Sequence, residues 1–334
     1  MTAGTESGNE VMISVIIPVY NVAPYVQECL ESIHNQTFEH AYEVILVDDC
    51  SSDASIEICR NFIEQNNAPK FRIIENDSNQ GVSVVRNMGL EAATGKYLMF
   101  VDPDDVLPAG AFDRLVNAAE KYESDIVKGN LVLFSETSDR PAPDRVRAER
   151  VLRGEDVLIT LYEHNEVRGH IGGKLFRRET LGDLRFTAGV RMAQDLLYFS
   201  ELFSHARSLV LITDEVYRYR KHQTGSTGRK YEKGSYVDWL SAVERSAEFA
   251  ETPGQRRAHK RLLVRTMAQI AREARKISAE YAAPVLEAIE QRLERWNLQL
   301  LPLLTRDKIG FRSFTRYLKL QIALVKIRRN LARS

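Results

Sequence analysis

Along the first 135 residues, short unbroken apolar runs alternate with stretches whose apolar positions recur every three or four residues. The unbroken runs are ISVIIPV (13–19), EVILVDD (43–49), FRIIEN (71–76), YLMFVD (97–102) and DIVKGNLVLF (125–134). They are short and rich in β-branched and aromatic residues, which predicts strands covered on both faces. The helical period runs through PYVQECLESIHNQT (24–37), SSDASIEICRNFIEQNN (51–67), VSVVRNMGLEAATG (82–95) and LPAGAFDRLVNAAEKY (107–122). Pro24 suits a first helical turn, the polar residues 51–53 suit caps, and Gly95 reads as the stop of the third helix. Strands alternating with helices through short connections predict right-handed crossovers. The expected fold class is α/β, a mostly parallel sheet covered by helices.

Beyond residue 135 the pattern loosens. SETSDRPAPDRVRAERVLRGE (135–155) is polar with two prolines and predicts a long excursion. Residues 156–220 return to mixed structure, with a helix over AQDLLYFSELFSHA (193–206) and a strand over LVLITDEVYRYR (209–220). KHQTGSTGRK (221–230) is a loop of Gly, Ser and Thr flanked by cations, and from about residue 235 the pattern is helical. The expected organisation is a polar tail (1–11), an α/β domain (12–234) and a C-terminal helical region (235–334). The tail lacks the positive start and apolar stretch of a signal peptide. No run approaches the roughly 18 apolar residues of a membrane span.

Charge changes the picture only when it is divided. The formal net charge is zero, which argues against a nucleic-acid partner. Residues 306–334 nevertheless hold nine Lys/Arg and one Asp, leaving 37 basic and 45 acidic side chains in the other 305. Drawn as a helix at about 100° per residue, residues 308–333 gather Lys308, Arg312, Arg316, Lys319, Lys326 and Arg333 on one arc. Phe311, Phe314, Leu318, Ile322 and Val325 form an apolar stripe beside it. Such a helix fits an anionic membrane surface. It equally fits packing on its own domain or on a second copy, because Arg328 and Arg329 point off the arc. Cys29, Cys50 and Cys59 are odd in number and show no disulfide framework. They predict reduced, buried or half-buried thiols in a cytoplasmic setting.

Sheets of this kind take ligands beyond the carboxyl ends of their strands. Pro18-Val19-Tyr20 end the first strand, Asp48-Asp49 the second, and Asp102, Asp104 and Asp105 the fourth, so all three clusters are expected on one edge. Asp102-x-Asp104 suits a hard divalent cation shared with a diphosphate, or else a solvated cap for the helix that follows. Asp49 can accept the imide N–H of a uracil while Ser51 or Asp53 caps the next helix. Arg86, just after Gly81 at a helix start, either faces an anionic ligand or is a surface arginine.

VIIPVYNVAPYVQECLESIHNQTF, VILVDDCSSDAS and NQGVSVVRNMGLEAATGKYLMFVDPDD together resemble the family 2 glycosyltransferases, which have a GT-A fold. The resemblance covers roughly residues 12–135 with four ordered motifs. It runs more loosely through GGKLFRRETL, AQDLLYF and YRYRKHQTGST to about residue 230, and does not cover the helical region. It implies inverting transfer of a hexosyl or N-acetylhexosaminyl group from a UDP-sugar to a hydroxyl of a glycan or lipid-linked glycan. The setting it implies is bacterial polysaccharide and cell-envelope assembly. By the same resemblance Pro18 and Tyr20 line the base pocket, Asp49 binds the uracil, and Arg86 steadies the nucleotide or its diphosphate. Asp102 would face the ribose and metal, and Asp104 would ligate Mn²⁺ or Mg²⁺. Asp195 matches the catalytic carboxylate that takes the acceptor proton, although the Glu that usually precedes it is Gln194 here. Arg220, Lys221 and His222 would offset charge on the leaving UDP. His222 falls either near the diphosphate and metal or on the loop surface.

A lipid-linked acceptor suits attachment of residues 308–333 to the inner face of the plasma membrane. The helical region is also where a homo-oligomer would form. Rival enzymes lack their motifs. PVYNVAPY stands where a nucleotidyltransferase needs a glycine-rich loop, and Val106 stands where a DxD phosphatase needs Thr or Ser. Gly95-Lys96 precedes a strand, which excludes a Walker ATPase. The non-enzyme alternative is a scaffold that binds a nucleotide sugar with little turnover. The sugar, acceptor and linkage are not written in these motifs.

Overall fold

The computed structural model describes residues 10–135, 138–163, 165–190, 192–221 and 235–277, together with 285, 287–289 and 291–292. The chain divides into two compact units: Met1–Val190 with Gln194–Arg229, and Arg191–Ala193 with Lys230–Ser334.

The first unit opens as β1 (Ile13–Val19), α1 (Val26–His34), β2 (Tyr42–Asp48), α2 (Ser55–Gln65), β3 (Phe71–Glu75), α3 (Val82–Ala92), β4 (Tyr97–Phe100), α4 (Ala111–Lys121) and β5 (Ile126–Ser135). It continues as β6 (Ser138–Pro141), β7 (Arg150–Arg153), α5 (Glu155–Glu163), β8 (Lys174–Arg177), α6 (Arg178–Leu181), α7 (Gln194–His205) and β9 (Ser208–Arg220). The strand order is β3-β2-β1-β4-β8-β5-β9-β7, with β6 beside β5. The first four strands are parallel, as the alternating pattern predicts. β8 then enters antiparallel between β4 and β5, β9 runs parallel to β5, and β7 closes antiparallel to β9. The sheet is thus parallel in one half and mixed in the other.

Alternate residues of each strand face opposite layers. On one face Tyr42 meets Phe112 of α4 edge-on. On the other, Phe176 of β8 stacks on Phe199 of α7 and meets Phe100 of β4. This second layer fixes α7 to the sheet.

Several local expectations shift. α1 starts at Val26 rather than Pro24, because the Tyr25 and Val26 N–H groups both donate to the Val22 carbonyl. α3 ends at Ala92, and Gly95 is not its stop. A side chain at 95 would stand 2.5 Å from the Ser14 nitrogen, so the glycine lets the chain lie on β1. The excursion 135–155 is not structureless, since β6 and β7 form within it. Cys29 and Cys59 are buried as expected, but Cys50 is exposed, and none of the three is bonded to another.

Lys128 and Lys174 were not singled out by the pattern. They stand directly opposite each other on β5 and β8, and both are fully buried. Lys174 Nζ donates to the His170 carbonyl and lies 5.2 Å over the Phe199 ring. Lys128 Nζ donates to the Asp144 carbonyl at 2.8 Å. Burial pushes Lys174 down to about 7, and Lys128 pushes the same way, against Asp144 and Asp195. The unfolded chain therefore holds more protons than the folded one between that value and the ordinary lysine value. Stability from this site is full above the ordinary value and is lost as pH falls toward 7. Lys174→Met removes that slope. Urea unfolding should show the stability of the variant rising relative to the wild type from pH 9.5 to pH 7. An unchanged difference would mean that Lys174 keeps its proton in both states.

The second unit contains α8 (Ser235–Arg245) and α9 (Pro253–Ile277). α9 begins with a reciprocal cap. Thr252 Oγ1 accepts the Gln255 N–H, and Gln255 Oε1 accepts the N–H groups of Glu251 and Thr252. Among the described residues no helix is long and apolar enough to cross a membrane. The basic segment 308–333 lies outside the described residues.

Candidate active site

The parallel register brings the three predicted clusters to one edge. Val19 pairs with Asp48 across β1 and β2, and the Val101 N–H after β4 donates to Ile16 of β1. Pro18 is buried at this edge, while Tyr20 stands exposed beyond it.

The two aspartates at the end of β2 divide the work. Asp48 accepts the backbone N–H and hydroxyl of Ser51, and so shapes the turn before α2. Asp53 accepts N–H bonds from Ser55 and Ala23. Asp49 is left out of these caps, but it is not idle. Its two oxygens accept the Gln80 N–H at 2.7 Å and the Gly81 N–H at 2.9 Å. Gly81 has φ 87°, a conformation that suits glycine, and it places the start of α3 over the strand ends. Asp49 thus carries the loop before Arg86, and a second lone pair on each oxygen remains to meet a donor.

Arg86 is not a surface arginine. It is buried, its guanidinium 5.4 Å from the Phe186 ring centroid. Nη2 donates to Asp102 at 3.2 Å and Nη1 to Asp195 at 2.6 Å. One guanidinium therefore joins the carboxylate after β4 to the carboxylate in the first turn of α7. Burial opposes its charge, but the two carboxylates hold its pKa above the ordinary value. Asp195 uses one oxygen in this pair, and its other oxygen has no hydrogen-bond partner among the described residues.

The acidic loop is crowded. Burial pushes Asp102 up to about 6, Arg86 opposes this, and the Asp104 and Asp195 carboxylates add to it. Asp105 is raised further, by burial and by Asp102 and Asp104. Its Oδ1 accepts the Arg220 N–H at 2.8 Å. The Tyr217 hydroxyl accepts the Asp102 N–H at 3.0 Å. Arg220 donates through Nε to the Asp104 carbonyl and pairs with Glu28, its guanidinium 4.4 Å from the Phe134 ring. Lys221 is exposed and held through its backbone by the Phe134 carbonyl. His222 lies outside the described residues. Among those described, no group of three His, Cys, Asp or Glu side chains forms a metal cage.

A carboxylate pair at a sheet edge and a third carboxylate with a free oxygen, joined by one arginine, can hold a polyphosphate through a cation and accept a proton beside it. Comparison with known proteins identifies the family. The model of "Glycosyl transferase family 2" matches residues 14–185. The glycosyltransferase EpsJ of Bacillus subtilis, itself described as uncharacterized, is 32% identical over 66% of this chain and 64% of its own length. The minor teichoic acid biosynthesis protein GgaB of the same organism is 30% identical over 68% of this chain and 25% of its own. The crystal structure of S. aureus TarS 1-349 in complex with UDP-GlcNAc superposes with a TM-score of 0.65 at 19% identity, covering 85% of this chain and 83% of that one.

The chain belongs to glycosyltransferase family 2.

Within this family 2 glycosyltransferase, the aspartates that end β2 and follow β4 were legible in the sequence, but their supports were not. Tyr217, Glu28 and Phe134 hold the acidic loop and Arg220, yet nothing in the local pattern of Glu28 or Phe134 sets them apart from surface or core residues. Only for Tyr217 was there a signal, an aromatic position two before Tyr219 in a strand that ends at the predicted Arg220.

Proposed function

We propose that this glycosyltransferase transfers a sugar with inversion from a UDP-sugar to a hydroxyl of a glycan or lipid-linked glycan acceptor, with Asp195 as the general base. The observation that carries this reading is the pair of bonds from Arg86 to Asp102 and Asp195. They hold a proton acceptor beside the carboxylates where a diphosphate would sit. Asp195 would receive the acceptor hydroxyl's proton on its unpaired oxygen as that hydroxyl attacks the anomeric carbon. Pro18, Tyr20 and Asp49 would take the uracil end, with Asp49 accepting the imide N–H. Lys221 and Arg220 would face the charge that develops on the leaving diphosphate.

The residues fit a divalent ion. Asp102 and Asp104 offer hard oxygens, and the raised value of Asp102 reports a carboxylate that a cation would relieve. With two protein carboxylates, diphosphate oxygens would complete the shell, and His222 is the further candidate. A bound Mn²⁺ or Mg²⁺ would offset negative charge on the leaving group.

The TarS complex with UDP-GlcNAc supports a UDP-linked hexosamine or hexose as donor, and the name of GgaB supports a cell-envelope polymer as product. Because the matched stretch spans 64% of EpsJ, the activity, donor and acceptor of the whole protein belong to this proposal. So does a cytoplasmic location with residues 308–333 on the inner membrane surface, or in a contact between copies.

The test is release of UDP from UDP-sugars with and without chelator. Turnover should vanish in excess chelator and return with Mn²⁺ or Mg²⁺, and Asp104→Ala should lose metal-dependent UDP binding. Full turnover in chelator would remove the metal from the mechanism. No turnover with any UDP-sugar, alongside tight binding, would favour the scaffold alternative.

A further inference from the structure

Basic side chains outnumber carboxylates beside the base helix. On the sheet face covered by α7, Lys128 and Lys174 oppose each other, and Arg168 and His170 reach the same region from the chain before β8. Arg168 acts electrostatically on Lys128, and Asp195 on Lys174. Few carboxylates answer them. Asp144 Oδ2 lies 3.6 Å from Lys128 Nζ and 3.2 Å from His170 Nε2. Asp195 is already paired with Arg86, and Glu166 with Arg150. Arg168 makes no hydrogen bond or ion pair among the described residues, and its Nε is buried without an acceptor. A desolvated donor left unpaired costs free energy that an incoming acceptor can return.

Gly169 places this cluster against the residue that follows the base. A side chain there would stand 2.9 Å from Leu196 Cβ and 3.0 Å from Leu196 Cα, and Leu196 follows Asp195. Consecutive Cα atoms are about 3.8 Å apart, so Arg168 and His170 both spring from one residue beyond that contact. Both are partly exposed, whereas the two lysines behind them are fully buried. The solvent-facing part of the cluster is therefore Arg168 and His170, one residue either side of the contact with Leu196. A guanidinium matches the geometry of a phosphate or carboxylate with paired N–H donors.

We propose that Arg168 and His170, backed by Lys128 and Lys174, form a subsite for an oxyanion, phosphate or carboxylate, carried by the acceptor next to its reacting hydroxyl. This rests on the reading of Asp195 as the base, but binding can be read without turnover.

The experiment titrates glycerol 3-phosphate and glycerol into the full chain saturated with UDP, so that the donor diphosphate site is already filled. Calorimetry should show the phosphate binding about ten-fold tighter than the neutral alcohol or better, as a charge-assisted contact gives. Arg168→Gln should abolish the preference and Arg168→Lys restore part of it, with UDP affinity unchanged in both. Equal binding of the two compounds by the wild type, or a preference that survives Arg168→Gln, would overturn the subsite. A second arm compares UDP-glucuronate with UDP-glucose. A loss confined to UDP-glucuronate in Arg168→Gln would assign the oxyanion to the donor sugar and overturn the acceptor assignment. Failure of the base reading would appear elsewhere, as normal turnover by Asp195→Asn.

Discussion

Asp195→Asn should lower kcat for sugar transfer by about 10²- to 10⁴-fold, the range lost with a general base. Affinity for the UDP-sugar should stay close to that of the wild type. The physical basis is the division of labour between the two carboxyl oxygens. One accepts the Arg86 Nη1–H at 2.6 Å, and the side-chain carbonyl of asparagine can still do that. The other must take a proton, which an amide cannot. Donor binding by calorimetry and turnover by UDP release separate the two roles. If the variant fails to bind the donor, Asp195 belongs to the donor site or the scaffold. If it turns over well, the proton goes to another group.

Arg86→Met should destabilise the fold by about 3–5 kcal/mol, the cost of breaking a buried ion pair by removing one partner. It leaves Asp102 and Asp195 facing each other with no cation between them, next to Asp104. The side chain of Arg86 is only 5% exposed, so water replaces it only in part at the two carboxylates. The variant should also lose turnover, because nothing then aligns Asp195 with the acidic loop. Arg86→Lys should recover only part of both, since one ammonium cannot match a planar fork bonded to two carboxylates. Adding Asp102→Asn to Arg86→Met should return part of the stability, because the two changes share one network. Urea unfolding of the wild type, the three single variants and the double variant reads these differences. Additive losses from Arg86→Met and Asp102→Asn would show that the pair is not coupled.

Much of the site was legible because chirality and connection length leave a parallel α/β unit little choice. Once β1, β2 and β4 are parallel neighbours, Tyr20, Asp49, Asp102 and Asp104 must collect at one edge. Local chemistry was less secure. Asp48, Asp49 and Asp53 are all competent caps, and only the tertiary structure assigns Asp48 to Ser51 and Asp49 to Gln80 and Gly81. A strong helical period likewise could not tell that Gly95 serves β1 rather than α3, since the deciding atom is the Ser14 nitrogen.

What the sequence by itself determined is the set of elements through residue 134, the alternation that makes the first half of the sheet parallel, and the edge where the acidic motifs meet. These follow from the periods of burial and from short crossovers, which act between neighbours in the chain. The tertiary structure alone decided that β8 inserts antiparallel between β4 and β5, and that Lys128 and Lys174 are buried face to face. It also decided that Arg86 bridges carboxylates 16 and 109 residues away. A lone arginine in a helix has the same local pattern whether it meets water or two aspartates. Its role is set by what packing removes from solvent, because an ion pair gains its strength only once water is excluded and distant segments are held within hydrogen-bond reach.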